Sequence, residues 1–145
     1  MNKPSLTITR TFRAPARRVF EAWTDANQLM AWHCPEGMTV TYAKSDPQVG
    51  GKYVVNMVEP DGSEHRAVGT YLEVSRYDKL AFTWDWEVGG DPAKGSQVTV
   101  TFKELDSNRT EMTLYHERIS TKSSRDGHIG GWTGALNNLE HLLSQ

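Results

Sequence analysis

Residues 129–143 read IGGWTGALNNLEHLL, and in them Ile129, Trp132, Leu136, Leu139 and Leu143 recur every three or four positions. That spacing predicts one apolar stripe along a long helix, with Asn137, Asn138, Glu140 and His141 lying off it. Gly130, Gly131 and Gly134 sit in its first turns. Each costs a helix up to about 1 kcal/mol relative to alanine, which is tolerable where a backbone must approach a sheet closely or where bulk would intrude on a cavity. From Met38 to Arg118 the period is two instead, so this helix is the one large apolar element available to cover a sheet.

Working back from it, candidate strands run Met38–Lys44, Lys52–Glu59, Glu64–Val74, Leu80–Val88, Gln97–Leu105 and Glu111–Arg118. Turn chemistry separates them: Gly50-Gly51, Pro60-Asp61-Gly62, Arg76-Tyr77-Asp78, Gly89-Gly90-Asp91-Pro92 and Asp106-Ser107-Asn108. Short connections between successive strands imply an antiparallel meander. At the start of the chain Leu6–Phe12 alternates and predicts a further strand. Ala16, Val19, Phe20 and Trp23 then recur at helical spacing behind Pro15, which suits a first helical position. Asp25 and Gln28 resemble a capping box opening a second short helix through Trp32, closed by Pro35 and Gly37. The expectation is one α+β domain over residues 1–145: a curved antiparallel sheet of six or seven strands around a long C-terminal helix, with two short helices after the first strand.

Sixteen Lys and Arg stand against 18 Asp and Glu, a net charge of −2, which lacks the basic footprint of a nucleic-acid binder. No apolar run approaches the roughly 20 residues of a membrane span, so no membrane insertion is expected. The first residues show no signal-peptide block, and the lone Cys34 gives no disulfide framework; both point to the cytoplasm. His33-Cys34 are adjacent, while His65, His128 and His141 are scattered without metal-ligand spacing, so no metal or other cofactor is expected. No Gly-x-Ser-x-Gly elbow occurs, and Ala93-Lys94-Gly95-Ser96 lacks the order of a phosphate loop. No catalytic residues are assigned. The glycine-rich stretch 89–96 reads as a long mobile hairpin tip, and the pairs Glu59/Asp61 and Glu104/Asp106 as solvated strand ends.

The candidate ligand-binding face follows from the strands. Leu80, Phe82, Trp84 and Trp86 occupy every second position and share one face. Val98, Val100 and Phe102 repeat this on the next strand, as do Met112, Leu114 and His116 on the one after, and Met57 and Tyr71 fit the same face. His116 is its one ionisable group. From the helix come Trp132 and Leu136, and Trp32 is placed at the opening. An empty apolar void costs on the order of 24 cal/mol per Å³, so a site of roughly 300 Å³ would forfeit about 7 kcal/mol. That is a large share of a typical total of about 5–15 kcal/mol, so a cavity of this size is expected to be used.

Ile8-Thr9-Arg10 leading to Ala14-Pro15, then Val19-Phe20-Glu21-Ala22-Trp23-Thr24-Asp25, Trp32 and Pro35-Glu36-Gly37 form a familiar order. Gly50-Gly51-Lys52-Tyr53, Asp61-Gly62, Gly69–Val74, Leu80–Trp84, Val98–Phe102 and Gly131-Trp132 continue it over nearly the whole chain. The sequence thereby resembles homologues of the activator of the 90-kDa heat-shock-protein ATPase, within the START-like (SRPBCC) superfamily. The resemblance implies the helix-grip fold. It implies less about activity, because that superfamily holds lipid carriers, receptors, cyclases and co-chaperone domains. Co-chaperones of the family carry an additional N-terminal domain that grips the chaperone, whereas this sequence opens on the first helix-grip strand. The leading expectation is therefore non-enzymatic binding or sequestration of a small hydrophobic or aromatic molecule. The alternatives are a protein-interaction module with a chaperone as partner, and a cyclase-type enzyme using the same cavity.

Overall fold

The computed structural model describes residues 3–145. Its elements run β1 (Leu6–Phe12), α1 (Ala16–Thr24), α2 (Ala26–Trp32), β2 (Thr39–Ser45), β3 (Lys52–Val58), β4 (Glu64–Ser75), β5 (Lys79–Val88), β6 (Ser96–Asp106), β7 (Arg109–Glu117) and α3 (Lys122–Leu143). The seven strands form one antiparallel sheet in the order β1-β7-β6-β5-β4-β3-β2. Strands β2 to β7 are a meander, and β1 closes against β7 with Ile8 opposite Leu114. This is the expected helix-grip architecture, with each strand bounded within two residues of the expectation.

Curvature comes from the strands themselves. Register shifts interrupt the ladders at Val40/Tyr42, Arg66/Ala67, Tyr71/Glu73 and Glu104/Asp106, and such bulges increase local twist and bend. Gly69 serves the same end by close approach. Tyr53, opposite it, lays its ring over β4 so that its hydroxyl donates to the Thr83 carbonyl of β5 at 2.6 Å. A Cβ on Gly69 would lie 2.0 Å from that carbonyl and 2.4 Å from the Tyr53 ring.

The concave face is the apolar one. Leu80, Phe82, Val98, Val100, Met112 and Leu114 are all buried there, because their period-two spacing sends each to the same side. α1 and the C-terminal half of α3 cover them: Phe20 meets Phe102 edge-on at 5.5 Å, and Leu136, Leu139 and Leu143 are buried. Trp32 is fully buried between α1 and α2, where its Nε1–H donates to the Ala22 carbonyl and its ring meets Trp23 at 4.8 Å. It does not stand at an opening.

Four local expectations need correction. α3 begins at Lys122, about two turns before the apolar stripe suggested, because Thr121 caps it by accepting the Ser124 N–H at 3.0 Å. Ile129 consequently lies on the exposed side, and His128 takes the inward position one turn before Trp132. The capping box at Asp25 is not made; Gln28 instead accepts from the Arg18 guanidinium at 3.0 Å, tying α1 to α2. Glu104 is no idle strand end: it accepts the Ala16 N–H at 3.1 Å and so caps α1, whose own N-cap, Pro15, offers no side chain to do it. No helix among the described residues is long and apolar enough to cross a membrane.

Candidate functional site

Beyond the packed end, sheet and helix diverge. The residues of α3 that face the sheet there are Ser124, Gly127, His128, Gly131, Trp132 and Ala135, spaced three and four apart and mostly small. They leave a cavity of about 560 Å³, within the range of small-molecule sites. Trp84 and Trp86 of β5 and Met57 of β3 form its floor, and His33, Cys34 and Met38 its side. Glu59, His65, Gly90 and Asp91 complete the rim.

Of the ten residues expected to bind ligand, Met57, Trp84, Trp86 and Trp132 line this space. The other six do not. Trp32, Leu114 and Leu136 are fully buried packing. Phe102 is taken up by Phe20, and Tyr71 packs on Phe82 while its hydroxyl bonds Ser45 at 2.8 Å. His116 sits behind the cavity wall as a satisfied core histidine. Its Nδ1 accepts the Trp132 indole N–H at 3.1 Å, and its Nε2 donates to Ser96 Oγ at 2.9 Å. Sharing a face puts residues on the concave side, but α1 and the leucines of α3 fill half of that side.

The polar groups of the site form two short chains. Asp91 accepts from the hydroxyls of Ser120 at 2.5 Å and Ser124 at 2.7 Å, and from the Ala93 N–H at 2.9 Å. The stretch 89–95 is therefore strapped to the start of α3, where a mobile tip was expected. Partial burial works to raise the Asp91 pKa, but these three donors, with the nearby His128, outweigh it and hold the carboxyl below its ordinary value. His128 donates from Nδ1 to the Ser124 carbonyl at 2.8 Å and accepts the Trp86 indole N–H on Nε2 at 3.1 Å, a pattern that fits the neutral ring. On the other side of Trp86, His65 bonds Glu59 at 2.7 Å. Gly90, at φ +62°, packs flat on the Trp86 ring, where any Cβ would come within 2.5 Å.

Three buried groups are electrically quiet. Burial lowers the His33 pKa to about 4, and burial with the neighbouring His128 lowers that of His116 to about 3. Burial also raises the Cys34 thiol, whose Sγ donates to the Met38 carbonyl at 3.4 Å, so it is a poor nucleophile. His33 Nδ1 and Trp84 Nε1 are buried without a hydrogen-bond partner among the described residues. Asp91, Ser124 and His128 adjoin in the wrong order for a nucleophilic serine. The imidazole Nδ1–H is already given to a carbonyl, and the hydroxyl proton faces a carboxylate held weakly basic. Among the described residues no three His, Cys, Asp or Glu side chains gather as a metal-binding group.

The model of the activator of Hsp90 ATPase homolog 1-like proteins matches residues 13–144. The chain belongs to this family. Among solved structures it is similar to protein CV1439 of Chromobacterium violaceum, with a TM-score of 0.87, 25% identity and 97% of each chain covered. Protein Ms6760 of Mycobacterium smegmatis gives 0.81 at 26% identity, over 96% of this chain and 90% of that one. PFC0360w of Plasmodium falciparum, described as an HSP90 activator, gives 0.74 at 26% identity, over 97% and 96%. No curated protein matches the sequence. Membership fixes the fold; the cavity's contents have to be argued from its walls.

Proposed function

We propose that this family member binds a small, largely apolar molecule between the sheet and the N-terminal half of α3, without transforming it. The observation that carries this is a cavity of about 560 Å³ walled by Trp84, Trp86 and Trp132. Affinity comes from apolar contact, roughly 25 cal/mol per Å² before association costs.

The test is indole fluorescence of the intact chain on titration with a panel of aromatic and aliphatic molecules, alongside mass spectrometry of whatever co-purifies. Saturable quenching is expected, and is expected to vanish in Ala135→Phe, which fills the space from the helix side. A flat response across the panel from a folded protein would refute the proposal.

A second reading rests on the likeness to the Plasmodium HSP90 activator, 26% identical over almost the whole of both chains. In it the chain engages a chaperone through its outer surface. Retention of a 90-kDa heat-shock protein by immobilised Ala135→Phe, at the level of the unsubstituted chain, is the result that favours this reading; no retention by either chain removes it.

A further inference from the structure

We propose that the cavity selects amine-bearing ligands over carboxylates, with Asp91 as the selecting group; this rests on the binding reading above and names its ligand class. The lining contains two carboxylates, Glu59 and Asp91, and no lysine or arginine. They differ in kind. Glu59 is bonded to His65 at 2.7 Å, so its charge has a partner whenever that ring is protonated. Asp91 has only neutral donors, the hydroxyls of Ser120 and Ser124 and the Ala93 N–H, and forms no ion pair among the described residues. Those donors favour the ionised form without cancelling its charge.

His128 lies near enough to favour the ionised Asp91, but the ring as it is hydrogen-bonded carries no charge to cancel it. Accepting the Trp86 N–H requires the His128 Nε2 to be unprotonated, and His33 is buried against Trp84 and Trp132 with no counter-charge. Three indole rings complete the picture, since an aromatic face attracts a cation and repels an anion. The Trp86 ring lies 6.4 Å from the His65 ring and 6.1 Å from the His128 ring. A protonated amine in the cavity shares it with Asp91 and the indole rings that line it. A carboxylate there meets the same charges with the opposite sign and no cation. The opposing influence comes from Lys3, Lys94 and Arg118, which line a separate small recess that Asp91 also borders. Lys94 is engaged there with the Trp86 carbonyl.

The experiment compares three matched probes on the intact chain by calorimetry at pH 7 and low salt: 1-naphthylmethylamine, 1-naphthalenemethanol and 1-naphthoate. The amine is expected to bind about tenfold or more tighter than the carboxylate, with the alcohol between them. Asp91→Asn is expected to bring the amine-to-carboxylate ratio towards one. Should that variant fold poorly, the unsubstituted chain supplies a second measure, because added salt must weaken the amine and leave the alcohol unaffected. Equal affinities for amine and carboxylate, or a preference that salt and Asp91→Asn both leave intact, overturn the selectivity while the binding proposal stands. No binding of any probe, together with a flat panel above, overturns both.

Discussion

The two ends of the concave face are built from the same strands and the same helix, yet one is solid and the other hollow. At the solid end Leu80, Val100, Met112 and Leu114 meet Leu136 and Leu139, all fully buried, and α1 adds Phe20 against Phe102. At the hollow end the strands offer larger side chains, Trp84 and Trp86, but α3 answers with Ser124, Gly127, Gly131 and Ala135. The space is therefore set by the helix. A stripe that changes from small to large along one helix leaves room at its small end, however bulky the sheet opposite. Titratable groups follow the same division: His33, His116 and His128 gather around Trp84 and Trp132 at the hollow end.

The largest effect expected from that division is acid sensitivity. The unfolded chain protonates His33 and His116 near pH 6.5, while the folded protein resists until about 4 and about 3. Below pH 6.5 the unfolded state thus binds more protons, so stability is fully present above that pH and declines as pH falls towards 4. Each ring contributes about 1.4 kcal/mol per pH unit in this window, so at pH 4.5 the loss is on the order of 5 kcal/mol. Urea midpoints measured from pH 7.5 to 4.5 should fall steeply, with tryptophan near-ultraviolet signal lost in step. A midpoint unchanged between pH 7 and 5 would contradict the burial of these rings.

A smaller effect separates the two ends directly. Leu139→Ala at the solid end opens a void no neighbour can fill and should cost about 2–5 kcal/mol. Met38→Ala, at a half-buried position already bordering the hollow, removes a similar volume but creates no sealed cavity. It should cost about 1 kcal/mol, near the transfer of the removed groups alone. Denaturant titration of both variants reads the difference, and equal losses would mean that the hollow end is as tightly packed as the other.

Much of this was legible in residue order. Period two from Met38 and the leucine spacing after Trp132 specify strands, helix and inward face, because each depends only on neighbours in sequence. What local spacing cannot specify is which part of a shared face another element covers. Phe102 and Trp84 look alike in their strands, and only the placement of α1 over one of them decides that Phe102 is packing and Trp84 is wall. The polar half of the site was hidden for the same reason. Asp91 meets Ser120 and Ser124 across 29 and 33 residues, from a glycine-rich turn that gives no sign of a partner. His128 carried a usable signal, since it precedes Trp132 by one helical turn, and continuing the stripe upstream past Ile129 would have reached it.

The smallest expected effects set two glycines of α3, four residues apart, against each other. Gly130 has open space where a Cβ would go, nothing lying within 4 Å. Alanine there should stabilise by about 0.5–1 kcal/mol, because it gains helix propensity and loses no contact. Gly134 begins the covered half. A Cβ on it would come 2.8 Å from the Glu36 backbone nitrogen, in the turn that follows α2. The close approach is thus to that turn, where approach to the sheet was expected, and backbone cannot swing aside as a side-chain end can. Here the same helix-propensity gain is opposed by overpacking of about 1–3 kcal/mol, so Gly134→Ala should lower the thermal midpoint while Gly130→Ala raises it. Opposite signs in paired thermal melts locate the point along α3 where close packing begins. A rise for both would place that point further towards the C-terminus, and the hollow would then extend beyond Ala135.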